Sequence, residues 1–191
     1  MADDGLPPCA HAGEDSTWRY VWPAGERFLS EIASLVTVRG QRVIDLGCGR
    51  GRLGLWAAQA GATSVVFADH SAEALAAIPM SPATRRLEHR WGEELPTCDV
   101  LVGGDILYRP PTFADLIASV GSAIGITGTA YLVDPRRTLE PELPALAAAV
   151  GLEWSQERRE AGYTLVRICR SADGMSPVDD QVKNASCWTS V

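Results

Sequence analysis

The sequence predicts a single doubly wound α/β domain whose mainly parallel sheet ends in an antiparallel hairpin. Three observations lead there. Short β-branched runs alternate with longer segments of helical spacing. Several of those runs are apolar without alternation, as strands covered on both faces are. The last two runs are joined across Glu160-Ala161-Gly162, a turn that makes them a hairpin. Strand, helix and strand in regular succession imply right-handed crossovers.

Residues 1–16 are rich in Gly, Pro and small polar residues and are expected to be a flexible segment. A first helix is expected over Glu26–Leu35 and a first strand over Arg42–Leu46. Helix Arg52–Ala60, strand Ser64–Ala68 and a short helix Ala72–Ile78 follow, the last stopped by Pro79 and Pro82. Strands Arg86–His89 and Val100–Gly103, helix Thr112–Ile124, strand Thr129–Val133 and helix Glu140–Val150 come next. The hairpin pairs Leu152–Arg158 with Thr164–Cys169, inside the run Tyr163–Arg170. Residues 171–191 read as a second flexible tail in which Trp188 could dock. No long linker or repeat interrupts 17–170, so one domain is enough.

With 191 residues and 46% apolar content, the chain can bury an ordinary core. Its net charge of −7 argues against non-specific binding to nucleic-acid phosphates. The pairs Arg85-Arg86, Arg136-Arg137 and Arg158-Arg159 read mainly as solvated surface. The five cysteines, at 9, 48, 98, 169 and 187, have neither an even count nor a CxxC spacing. A disulfide framework or a metal site is therefore not expected, and Cys48 and Cys98 read as small buried hydrophobes. The acidic start leading to Pro7-Pro8 is unlike a secretory signal, and no stretch has the ~18 apolar residues that span a bilayer. The expected setting is reducing and cytoplasmic, without a membrane partner, and the expected state is a monomer.

The segment that carries chemistry is Val43-Ile44-Asp45-Leu46-Gly47-Cys48-Gly49-Arg50-Gly51-Arg52-Leu53-Gly54. It follows a strand and opens a helix. Gly47 and Gly49 carry no Cβ, so the backbone can turn sharply and approach a ligand there. The helix start adds unpaired N–H groups and partial positive charge. Asp45 stands two residues before Gly47, at the strand end. The spacing is Gly-x-Gly-x-Gly. The pattern of nicotinamide enzymes is met only by reading Gly49, Gly51 and Gly54. Asp69 ends the next strand about twenty residues on, where a carboxylate can receive both hydroxyls of a ribose. Ser71 is the better N-cap for the following helix, which frees Asp69 for that role.

At this point the residues resemble a known family. Asp45 to Gly51 is similar to motif I of the seven-strand S-adenosylmethionine-dependent methyltransferases. Val21-Trp22-Pro23-Ala24-Gly25, Arg90-Trp91-Gly92-Glu93 and Gly104-Asp105-Ile106-Leu107-Tyr108 resemble three further elements of its branch containing many protein-lysine methyltransferases. Val133-Asp134-Pro135-Arg136 resembles the lysine methyltransferases of the electron-transfer-flavoprotein β subunit. The resemblance runs from Trp18 to Arg170. It departs in the helix after the second strand, where many relatives have asparagines and Ala72–Ile78 has none.

The resemblance implies a Rossmann-like seven-strand methyltransferase fold and S-adenosylmethionine as cofactor. Trp22, Gly47 and Gly49 would lie at its methionine end. Asp45 belongs to the same motif, Asp69 would hold the ribose, Trp91 would flank the adenine and Gly104 would line the sulfonium. Asp105 would line it beside Gly104, and Tyr108 would stand at the substrate entrance; the two are expected to act as the catalytic pair, orienting a lysine amine by hydrogen bonding. A carboxylate stabilises an ammonium, so orientation rather than deprotonation is the expected role of Asp105. Without the resemblance, Trp22 and Trp91 are also compatible with core aromatics, and Tyr108 with a strand end before Pro110-Pro111. His70 and His89 read as surface or strand-end residues with no metal or base role. The acceptor is expected to be a protein lysine. The alternatives are a small-molecule N- or O-methyltransferase, a non-enzymatic protein keeping the fold, and a nicotinamide-dependent oxidoreductase.

Overall fold

The computed structural model of the protein describes residues 17–136 and 138–171. The N-terminal segment 1–16, Arg137, and 172–191 with Cys187 and Trp188 lie outside the described residues. Seven strands form one sheet: β1 (Arg42–Leu46), β2 (Ser64–Asp69), β3 (Thr84–Glu88), β4 (Cys98–Gly104), β5 (Ile124–Asp134), β6 (Leu152–Arg158) and β7 (Thr164–Arg170). Five helices accompany them: α1 (Pro23–Leu35), α2 (Arg52–Gln59), α3 (Ala72–Ala77), α4 (Phe113–Ala123) and α5 (Glu142–Ala149). The order across the sheet is β3-β2-β1-β4-β5-β7-β6. β1 to β5 run parallel, and β7 is antiparallel to both β5 and β6. The doubly wound fold with a terminal hairpin is therefore present, with the strand order reversing between β1 and β4. Ligands of such sheets sit at the strand C-terminal ends beside that reversal.

Both faces of the sheet are covered because successive side chains point to opposite sides. Ile44, Leu46, Val66, Ala68 and Leu101 pack with Leu116, Ile117 and Val120 of α4 and Leu143 of α5. Val43, Val65, Phe67, Val100 and Val102 pack with Phe28 and Ile32 of α1, Leu53 of α2 and Leu75 of α3. Each such side chain taken fully out of water stabilises by about 1.5–3 kcal/mol, so the two layers anchor the strand ends rigidly. Cys48 and Cys98 are buried among these apolar groups, as their surroundings in the sequence suggested.

Three boundaries differ from expectation for identifiable reasons. α1 begins at Pro23 rather than Glu26, with Pro at its first helical position and a cap supplied by a distant residue. β5 begins at Ile124, five residues before Thr129; the glycines at 125 and 128 suggest a turn, but the chain pairs Cys98 with Ile124 across a register shift. A Cβ on Gly128 would lie 2.9 Å from the Cys98 carbonyl oxygen, so glycine permits that close pairing. β3 covers Thr84–Glu88, leaving His89 just past its end.

Candidate active site

The C-terminal ends of β1, β2 and β4 open into one cleft. All nine predicted site residues line it: Trp22, Asp45, Gly47, Gly49, Asp69, Trp91, Gly104, Asp105 and Tyr108. The floor is the turn after β1. Gly47 has φ +61°, and a Cβ there would come within 2.7 Å of Ile106 Cγ2. Any side chain would be both strained and obstructed at that point.

Asp69 faces this turn from the neighbouring strand. Its Oδ2 accepts from the Gly49 amide at 2.8 Å and its Oδ1 from the Ser71 amide at 2.9 Å. His70 Nδ1 lies 3.3 Å away. Burial pushes the carboxyl up, but His70 and the amides of Ser71 and Gly49 outweigh it and hold Asp69 below the usual range. Each carboxylate oxygen has two acceptor sites, so these bonds leave capacity for a ligand hydroxyl. Ser71 caps α3, its Oγ accepting from the Ala74 amide at 3.2 Å.

Asp45 and Asp105 share a different geometry. Each lies at the sheet's C-terminal edge and caps a helix, Asp45 the next one in the chain and Asp105 one eighty residues earlier. Asp45 Oδ2 accepts from the Gly54 amide in the first turn of α2 at 2.7 Å. Asp105 Oδ2 accepts from Gly25 at 2.7 Å and Oδ1 from Ala24 at 3.4 Å, both in the first turn of α1. A helix N-terminus offers unpaired N–H groups and partial positive charge, so an acid is well placed there. Glycine at the approached position lets strand and helix come close: a Cβ on Gly104 would be 3.2 Å from Gly25 Cα. Burial still dominates both acids. It raises Asp45 to about 8, opposed by the Gly54 amide and aided by the charge on Asp69. It raises Asp105 to about 6, opposed by the amides of Gly25 and Ala24. Asp105 also has φ +56°, rare for a residue with a side chain.

The mouth is aromatic. Trp22 stacks on Tyr108 with ring centroids 6.2 Å apart, and Trp91 meets Tyr108 edge-on at 6.4 Å. Trp22 Nε1 donates to the Thr17 carbonyl at 3.1 Å, tying the short 3-10 turn Thr17–Arg19 to the start of α1. Tyr20, Val21 and Tyr108 are exposed at the rim. Trp22 and Trp91 are half-buried walls of the cleft, and Trp91 also packs against the core.

Behind Tyr108, Asp134 and Arg136 brace the loop. Arg136 forks onto Asp134 through Nε at 2.8 Å and an Nη at 2.9 Å, bonds Glu140 at 2.5 Å and donates to the Leu107 carbonyl. Asp134 is buried, so this pair joins the end of β5 to the segment carrying Tyr108.

Two cleft residues carry no role in the sequence reading. Trp18 packs its backbone 3.7 Å from where a Gly49 Cβ would stand. His89, expected at the surface or a strand end, sits at the strand end but is only 3% exposed and lines the cleft. The neighbouring strand places Asp69 at the same edge, so strand-end position was the signal for His89. Among the described residues, Trp18 Nε1 and His89 Nδ1 are buried without a hydrogen-bond partner. Orphaned polar atoms on the walls of a glycine-floored cleft fit a polar ligand lying along it.

Residues 23–96 match the model of the methyltransferase small domain. The chain has the class I S-adenosylmethionine-dependent methyltransferase fold. The family cofactor is S-adenosylmethionine, and the glycine floor, the facing Asp69 and the orphaned ring nitrogens suit it. The methyltransferase is 31% identical over 166 residues to the electron transfer flavoprotein beta subunit lysine methyltransferase of Xenopus laevis, covering 79% of this chain and 66% of that protein. It is 31% identical over 112 residues to EEF1A lysine methyltransferase 3 of Mus musculus, covering 53% and 48%. A TehB-like SAM-dependent methyltransferase from Corynebacterium glutamicum superposes with a TM-score of 0.63 at 19% identity, over 85% of this chain and 92% of that one. No helix among the described residues is long and apolar enough to cross a membrane.

Proposed function

We propose that this methyltransferase transfers a methyl group from S-adenosylmethionine to a lysine side chain of a protein. The observation that carries the reading is the aromatic mouth of Trp22, Trp91 and exposed Tyr108 above the glycine floor. Two lysine methyltransferases among its relatives support the same acceptor. Bound there, S-adenosylmethionine supplies an activated methyl on a positively charged sulfur. Gly47 and Gly49 admit its amino-acid portion against the backbone, Asp69 receives the ribose and Trp91 flanks the base. Trp22 and Gly104 bound the region where the acceptor meets the methyl.

Alignment of the nucleophile is the main task, and it can supply about 7–11 kcal/mol of barrier lowering. A lysine must first lose its proton, against a solution pKa of about 10.4. Partial burial among aromatic rings lowers that value and favours the neutral nucleophile. Tyr108, at the rim, contacts and orients the amine. Asp105 acts by position: with both oxygens on α1 amides, it holds the helix that carries Trp22 against the strand bearing the site.

The test incubates the full chain and methyl-labelled S-adenosylmethionine with a cell lysate, then separates protein from small molecules. Label is expected in protein, on lysine after hydrolysis. Label confined to small molecules would replace the lysine reading by a small-molecule methyltransferase, and no transfer would leave a cofactor-binding protein. Asp105→Asn and Tyr108→Phe are expected to lower kcat by at least about tenfold. Normal kcat in both would remove them from the machinery.

A further inference from the structure

We propose that the chain methylates itself on Lys183, its own C-terminal segment entering the aromatic mouth as an acceptor. This rests on the lysine transfer proposed above and adds a modification site to it. Lys183 is the only lysine among the 191 residues, and the other sixteen cationic side chains are arginines. A guanidinium stays protonated and has no lone pair to offer, so none of those sixteen competes as an acceptor. Lys183 is the one side-chain amine that the chain can present to its own cleft.

Reach is set by the covalent chain. Lys183 lies outside the described residues, twelve positions beyond Ser171. β7 is antiparallel to β5, so Ser171 leaves the sheet at the edge opposite the cleft. β7 has seven residues, about 23 Å of strand, and stands two strand spacings, about 10 Å, from β4. The straight path is then about 25 Å, whereas twelve residues can span about 40 Å. The residues beside Lys183 also suit the mouth. Asp179 and Asp180 precede it by four and three positions, and Val182 adjoins it. At the rim, Arg109 follows Tyr108 and is exposed, and its guanidinium has no partner among the described residues. Tyr20 and Val21 add exposed apolar surface there. An acidic and apolar segment bearing the amine thus meets a cation and an apolar lip. In the step, the lone pair of neutral Nζ forms a C–N bond to the methyl as the C–S bond breaks. Sulfur keeps the bonding pair and leaves in neutral S-adenosylhomocysteine, and the new methylammonium gives a proton to water.

The experiment incubates the purified full chain with methyl-labelled S-adenosylmethionine and no other acceptor, then maps the label by peptide mass spectrometry. Label is expected on Lys183. A tethered acceptor reacts intramolecularly, so the rate per chain should hold constant over about a hundredfold dilution. Lys183→Arg is expected to lose at least about tenfold of the incorporated label, since arginine keeps the charge without a nucleophile. The same variant should bind S-adenosylhomocysteine like wild type and still label lysate protein. Label on the α-amine of Met1 or on any other residue in place of Lys183 overturns the proposal. So does a rate that falls in proportion to dilution, which would make the acceptor a second copy. Mapping on the wild-type chain does not depend on how the variant folds. An unlabelled chain alongside labelled lysate lysines sinks self-methylation alone. No label in either would instead sink the lysine transfer it rests on.

Discussion

At the scale of single residues, the two helix-capping acids explain more than their motifs do. Asp45 and Asp105 are both legible in the sequence as site residues, since each stands at a strand end beside glycine. What each one bonds is not legible, because Gly54 lies nine residues away and Gly25 eighty. Asp45 yields a test with a definite sign. Its carboxyl is raised to about 8 by burial, while an unfolded aspartate titrates near about 3.9. The folded state therefore favours the protonated form. Stability from this group is full below about pH 4 and is lost as pH rises toward about 8. Asp45→Asn keeps an acceptor for Gly54 and removes the charge. Its Tm relative to wild type is expected to climb between pH 5 and pH 8.5, read by thermal unfolding. An equal difference at the two pH values would contradict the assignment.

At the scale of elements, the site depends on how closely strands and helices approach. A Cβ on Gly54 would lie 2.4 Å from Phe67 Cε1, so α2 packs on β2 with no room to spare. Gly54→Ala is expected to destabilise by about 1–3 kcal/mol in denaturant unfolding. The Arg136 fork is the other junction. Lysine offers a point charge where arginine offers a planar pair of donors, so Arg136→Lys cannot hold Asp134 and Leu107 together. Its expected signature is a fall in kcat with unchanged affinity for S-adenosylhomocysteine. A change confined to that affinity would place the residue elsewhere in the mechanism. Element existence was readable from alternating runs, and the β1–α2 junction from its glycines. The start of α1 was not, because its cap comes from Asp105, just after β4. The first half of β5 was hidden by glycines that usually mark a turn.

At the scale of the whole molecule, strand order turns separate motifs into one cleft. The sequence spaces Trp22, Gly47, Asp69, Trp91 and Asp105 over more than eighty positions, and the parallel sheet returns each to the same edge. Motif order was enough to predict that gathering, whereas Trp18 needed coordinates because it belongs to no motif and His89 was legible only as a strand-end residue. A ligand binding only the folded state at a hundred times its Kd stabilises by about 2.7 kcal/mol. S-adenosylhomocysteine at that level is expected to raise Tm by about 5–11 °C, whereas NAD should leave it unchanged. The reverse pattern would restore the oxidoreductase alternative. One feature governs how this cleft breathes. Among the described residues, Asp105 supplies the side-chain bonds to the first-turn amides of α1, and the segment from Thr17 to Trp22 leads into that turn. These two bonds are thus one latch on the outer wall, and deuterium uptake at the Ala24 and Gly25 amides reports how often they open.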